Sequence, residues 1–313
     1  LINQTVPPDR IILNVAHDYT REHFNSNLFD IQIQEKSSAK RSRVEINRCH
    51  DYGSATKLVG LLDKKHEIED DDIIIVVDDD IFYPPELVET HKMYHEHHPP
   101  GTVFTVEAAN ISGDLITNEN QVDGSQFHIL SGWGSYSLTG RMLTEDMRSI
   151  VHYPKSMRLS DDIFFSNMLA HNNTCVIQTD FVNHDTLKIL DYSAAPHQMH
   201  NCKELDGGSH NWGNEYKYCK ALSFLIEKNL LKIPLDTLVK KKILCRDLYY
   251  DFRDAMSESE ATFVNRCITA LETHSILDTI EALGVERQRM LKLQNMYHNI
   301  TGTQIPPGEF FSY

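Results

Sequence analysis

Apolar positions along the chain change period several times, and each change marks an element. Ile11–Val15 reads as a strand after the turn Val6-Pro7-Pro8-Asp9, and Val44–Asn47 as a second, short one. Residues 35–43 are a charged, solvated loop. From Ser54 to Lys65 the apolar residues fall at 55, 58, 59, 61 and 62, a helical spacing with Ser54 as its cap. Ile73-Ile74-Ile75-Val76-Val77 is an unbroken β-branched run and predicts a fully buried strand of a mostly parallel sheet. Glu86–His97 is helical up to Pro99-Pro100, with His95, His97 and His98 on its solvated face. Thr102–Val106 and Cys175–Gln178 are further strands. The stretch 110–137 is polar and Gly-rich, Thr139–Ile150 a short helix, and Ser160 the cap of a helix opened by Asp161 and Asp162. From 214 the pattern is helical, over 214–230, 235–255, 258–282 and 284–299.

Strands and helices alternating at this spacing predict an α/β domain over residues 1–213, with a Rossmann-like, mostly parallel sheet flanked by helices. A helical C-terminal region follows over 214–313. The chain opens on Leu1, whose neighbours read as the end of a helix and a turn, so an upstream segment is expected.

The length of 313 residues is enough for one large α/β domain and an appendage. The formal charge of −15 comes from 45 acidic and 30 basic residues, with no basic run beyond Lys240-Lys241-Lys242. A nucleic-acid partner is therefore not expected. No apolar run reaches the roughly 18 residues that span a bilayer, and no signal peptide is visible. A soluble, cytoplasmic chain is the expectation. The six cysteines are scattered with no C-x-x-C pair, which argues against structural zinc. Glycine-rich dinucleotide and P-loop signatures, H-E-x-x-H and G-x-S-x-G are all missing.

The chemistry gathers where the β-branched run ends. Asp78-Asp79-Asp80 follow it directly, and open α/β sheets bind ligands outside the carboxyl ends of their strands. Three adjacent carboxylates repel one another unless a cation intervenes. Asp78 and Asp80 are candidate ligands for Mn²⁺ or Mg²⁺, with Asp79 turned the other way. Trp133, between Gly132 and Gly134, has room to stack on a sugar face, making these three the candidate acceptor site.

A buried strand ending in D-D-D, a later Gly/aromatic loop and a D-D pair at a helix start resemble a GT-A glycosyltransferase with its D-x-D motif. Asp51-Tyr52-Gly53-Ser54-Ala55-Thr56-Lys57-Leu58 and Asp78-Asp79-Asp80-Ile81-Phe82-Tyr83-Pro84 are similar to the D-Y-G-x-x-T-K-L and D-D-D-x-x-Y-P stretches of a group of bacterial and large-virus glycosyltransferases. The likeness covers about residues 1–228 and places the fold's first strand and helix upstream of Leu1.

It implies a metal-dependent hexosyltransferase that moves a sugar from a nucleoside diphosphate sugar, a UDP-sugar foremost, to a glycan or protein-linked hydroxyl, with inversion. Asp162, or Asp161, would be the general base. Lys57 would neutralise donor phosphate, while Asp51, Tyr52 and Asp79 would meet the nucleoside. His184 would complete the metal shell, with His210 as its rival. A metal-dependent phosphoryl- or nucleotidyltransferase, and a non-catalytic carbohydrate-binding protein on the same fold, are the alternatives.

Overall fold

The computed structural model describes residues 1, 3–18, 43–78, 81–111, 129–132, 134–179, 188–189, 214–252 and 260–272. Asp79, Asp80, Trp133, His184 and His210 lie outside them, as does the helix expected over 284–299. The described elements are β1 (Arg10–Ala16), β2 (Arg43–Cys49), α1 (Thr56–Val59), β3 (Ile73–Val77), β4 (Ile81–Phe82), α2 (Leu87–His97), β5 (Val103–Thr105), β6 (Ala108–Ala109), β7 (Ile129–Leu130), β8 (Ser135–Thr139), α3 (Lys155–Arg158), α4 (Asp161–His171), β9 (Val176–Gln178), β10 (Lys188–Ile189), α5 (Asn214–Glu227), α6 (Thr237–Phe252) and α7 (Glu260–Glu272). The architecture is mixed α/β.

The sheets differ from the expected, mostly parallel one. β1 and β2 pair in parallel as a two-stranded sheet. The central sheet has the order β3-β8-β5-β9, in which β8 runs antiparallel to both neighbours and only β5–β9 is parallel. Residues 135–137 read only as part of a polar, Gly-rich stretch and Thr139 as the start of a helix, yet 135–139 form an inner strand of the sheet. Of β3 only Val76 is fully buried; the rest are half-buried, because among the described residues β3 pairs with β8 alone.

Strand β8 reads Ser-Tyr-Ser-Leu-Thr and is buried throughout. Two residues of its polar face, Ser135 and Ser137, are satisfied by α2. His91 bonds the Ser137 and Ser135 hydroxyls through its two ring nitrogens at 2.9 Å each, and His95 Nε2 reaches Ser137 Oγ at 2.9 Å. The α2 histidines are therefore not all a solvated face. His95 and His98 pack edge-on against buried Phe104, with ring centroids 4.7 and 5.1 Å away. Burial lowers the His91 pKa to about 3 and keeps the ring neutral.

The segment after Asp51 is tighter than a regular helix. It runs as a 3₁₀ turn (Gly53–Ala55), α1, then a 3₁₀ stretch (Gly60–Glu67). Side chains of the parallel pair take its carbonyls: Asn14 Nδ2 donates to Lys57 O at 3.0 Å and Asn47 Nδ2 to Gly60 O at 2.7 Å. Gly60 sits so close to these strands that a Cβ would lie 2.8 Å from Cys49 Sγ. Ser54 does not cap; its hydroxyl donates to Arg158 O. The helix expected over 139–150 is instead two 3₁₀ pieces, Gly140–Met142 and Glu145–His152.

A large apolar core joins the central sheet to the later helices. Tyr52, Leu58 and Val59 meet Val76, Tyr136 and Leu138 of the sheet, then Ile163 to Phe165 of α4, and continue into Leu222, Leu225, Leu244 and Phe263 of the later helices. Helix α5 packs on α3 and α4, so helical chain beyond residue 213 is built into the same core as the sheet. Among the described residues no helix is long and apolar enough to cross a membrane.

Candidate functional site

The site forms where β3, the turn before β8 and the start of α4 converge on the Lys57 side chain. Lys57 leaves α1, which packs on both β1 and β3. Its ammonium donates to Asp78 Oδ1 at 3.0 Å and to Gly132 O at 3.2 Å, and lies 3.9 Å from Asp161 Oδ2. Burial pulls the ammonium pKa down, but Asp161 and Asp78 more than reverse this, and the net direction is upward. Lys57 is thus a fixed cation at the end of β3, and its side chain is 23% exposed.

Asp78 is held from behind by Tyr83. The phenol oxygen accepts the Asp78 backbone N–H at 2.8 Å and donates to Gly134 O. This ties the end of β3 to the turn entering β8. Gly134 has φ +81°, a conformation that a side chain would strain.

Asp162 lies at the first turn of α4 and is partly exposed. Its Oδ1 accepts the Gly132 N–H at 2.6 Å and its Oδ2 accepts the Tyr218 hydroxyl of α5. Ser166, one turn on, accepts the Leu130 N–H at 2.8 Å and so fixes β7 beside α4. Packing strips water from Asp162 and Asp161 adds a like charge. Lys57, Tyr218 and the Gly132 N–H counter this in part, and the pKa settles at about 6. Asp161 is 5% exposed, and its Oδ2 has no hydrogen-bond partner among the described residues. Ser160 stands at the N-cap, but its side chain makes no cap bond.

Gly132 is the keystone of the arrangement. Its N–H holds Asp162, its carbonyl holds Lys57, and a Cβ there would sit 2.7 Å from Asp162 Oδ1 and 2.8 Å from Lys57 Nζ. Gly132 and Gly134, expected as acceptor contacts, are seen in backbone roles that set the site's shape.

Asp51 and Tyr52 are used in the turn before α1. Asp51 Oδ1 accepts the Gly53 N–H at 2.9 Å, and the Tyr52 hydroxyl accepts from Arg148 at 2.7 Å. Both are buried, at 3% and 4% exposure. Gly53 has φ +72°, and a Cβ there would meet Arg158 O at 2.4 Å.

The structure therefore brings together Lys57, Asp78, Asp161, Asp162 and Gly132 out of the residues singled out by sequence. It adds Tyr83, Tyr136 and Tyr218. Tyr136 is buried in β8 with its hydroxyl unpartnered among the described residues, and Lys57, Asp161, Asp162 and Asp78 all act on it. Tyr83 belongs to the D-D-D-x-x-Y-P stretch, so a signal for it existed; Tyr136 and Tyr218 carry none. Among the described residues no group of three His, Cys, Asp or Glu is placed to hold a metal ion. The chain matches no family model and no curated protein.

Proposed function

We propose that this protein is a metal-dependent GT-A-type glycosyltransferase. It moves a sugar from a nucleoside diphosphate sugar, a UDP-sugar foremost, to a hydroxyl acceptor, with inversion. The observation that carries the reading is Asp162: a carboxylate oriented by two hydrogen bonds, ionising near neutrality and facing a cluster that contains a fixed cation. A general base works best when its pKa lies near the operating pH and its geometry is fixed.

Asp162 takes the proton as the acceptor O–H bond breaks. The acceptor oxygen forms the new bond to the anomeric carbon, and the old carbon–oxygen bond breaks with its electron pair leaving on the diphosphate. Lys57 offers its ammonium to that leaving charge and keeps Asp78 in place beforehand. Asp161, its neighbour in the pair, raises the basicity of Asp162 through like charge. Gly132 keeps the base and the cation a fixed distance apart.

Asp78 and Asp80 with His184 would hold the metal, hard oxygen and imidazole ligands that suit Mn²⁺ or Mg²⁺. Asp78, the described member, follows β3 directly, and its Oδ1 is bonded to the Lys57 ammonium, with which a metal would share the carboxylate. When bound, the metal would neutralise negative charge on the donor diphosphate.

The test is a donor screen. UDP-, GDP- and dTDP-sugars are added with Mn²⁺, Mg²⁺ or EDTA, and thermal shift and diphosphate release are read. Stabilisation by a UDP-sugar only with metal, and release that stops in Asp162→Asn while donor binding persists, is the expected result. No response to any donor, or release untouched by Asp162→Asn, rejects the reading.

A further inference from the structure

We propose that Tyr218 is a positioning residue for Asp162: helix α5 reaches into the site to fix the second oxygen of the base. The inference rests on Asp162 being the base of the transfer proposed above.

Three observations carry it. First, the two carboxylate oxygens have separate donors from separate parts of the fold, the Gly132 N–H on Oδ1 and the Tyr218 hydroxyl on Oδ2. One donor would leave the carboxylate free to rotate about its last bond. Two define its plane, and with it the direction from which an acceptor proton arrives. Second, Tyr218 is anchored. It is 9% exposed, and its helix packs on both α3 and α4, with Cys219 and Leu222 wholly buried beside it. The hydroxyl is therefore placed by the body of the protein. Third, burial and the nearby Asp162 push the phenol pKa well above its ordinary value, so Tyr218 remains a donor through the neutral range.

The charged and titratable groups around this pair are Asp161 on α4, Lys57 on α1, Tyr136 on β8 and Glu107 after β5. Asp161 and Glu107 discourage negative charge here, and Lys57 favours it. Tyr218 joins Lys57 on the favouring side without adding charge. It is a neutral donor whose bond strengthens when Asp162 is ionised.

The role differs from mere packing, and Tyr218→Phe separates the two. Phenylalanine keeps the ring and removes the donor. Hydrogen bonds to a charged group correspond to about one pH unit or somewhat more. The acid limb of the kcat profile should move up by about one pH unit in Tyr218→Phe, with donor KM unchanged. In parallel, the Asp162 carboxyl is followed by carbon-13 NMR titration, its signal assigned by its loss in Asp162→Asn. That midpoint should rise by the same amount, and it needs no turnover. Should Tyr218→Phe fold poorly, 3-fluorotyrosine at position 218, a stronger donor of nearly the same size, should lower the midpoint.

An Asp162 midpoint that stays put in Tyr218→Phe, or in the fluorotyrosine protein, overturns the proposal. A midpoint that moves as expected in a protein that turns over no nucleotide sugar leaves the Tyr218–Asp162 coupling standing and rejects the glycosyltransferase reading instead.

Discussion

Asp162→Asn should make the protein more stable at neutral pH while sharply slowing the proposed transfer. The Asp162 pKa is raised from an ordinary value of 3.8 to about 6, first by burial and then by Asp161. Each pKa unit is worth about 1.4 kcal/mol, so holding the ionised form in this place costs on the order of 3 kcal/mol at pH 7.5. Asparagine avoids that cost, and since the Tyr218 and Gly132 hydrogen bonds are already counted in the raised pKa, the net gain is about 3 kcal/mol.

The sign follows from proton linkage. A carboxyl with a raised pKa in the folded state gives its full stability below pH 4 and loses it as the pH rises through about 6. Asparagine does not titrate. The advantage of Asp162→Asn should therefore be near zero below pH 4, grow between pH 4 and 6, and be complete above. Urea unfolding of both proteins across pH 4 to 8 measures it, and taking the difference cancels the titrating groups that do not interact with Asp162. Transfer should fall by about 10²–10⁴-fold, the usual contribution of a positioned base. A variant less stable than the wild type at pH 7.5, or a difference that does not change with pH, would refute this account of the site.

Gly132→Ala should cost about 1–3 kcal/mol in urea unfolding and remove most activity, since its Cβ would intrude on Asp162 and Lys57 together; full activity would mean that the loop gives way freely. His91→Ala should lose about 2–4 kcal/mol at pH 7.5, because Ser135 loses its ring partner and a cavity opens. Burial holds the His91 pKa at about 3, against an ordinary 6.5, so its neutral ring contributes stability that is lost as pH falls below 6.5. The gap between wild type and His91→Ala should accordingly narrow from pH 7 to pH 5 in the same assay, and a constant gap would count against a neutral buried ring.

How much of this was legible in the residues depends on which physics set each part. Strand β3 and helix α4 were plain from β-branched runs and first-turn acids. Asp78, Lys57 and Asp162 were plain because their motifs place charge at element ends. Strand β8 was not, since Ser135 and Ser137 look like loop residues until His91 and His95 are seen to satisfy their hydroxyls. With β8 unread, the sheet was expected to be mostly parallel, and the antiparallel insertion is what makes it mixed. The 3₁₀ course after Gly60 was hidden for a similar reason: the competing donors, Asn14 and Asn47, lie more than ten residues upstream. Tyr218 lies in a stretch that reads only as helical, and only packing reveals its hydroxyl as part of the site.

The asparagine pair has a mechanical consequence. Asn47 Nδ2 bonds both Asn14 Oδ1 and Gly60 O, and Asn14 in turn grips Lys57 O. The main chain of Lys57 is therefore clamped to the β1–β2 sheet while its ammonium is bonded at the end of β3 in the other sheet. Lys57 acts as a tie rod between two separately hydrogen-bonded bodies. Sliding one sheet against the other would alter the spacing of cation and carboxylates before it broke any strand pairing, so the Lys57 cluster serves as a gauge of how well the two sheets are aligned.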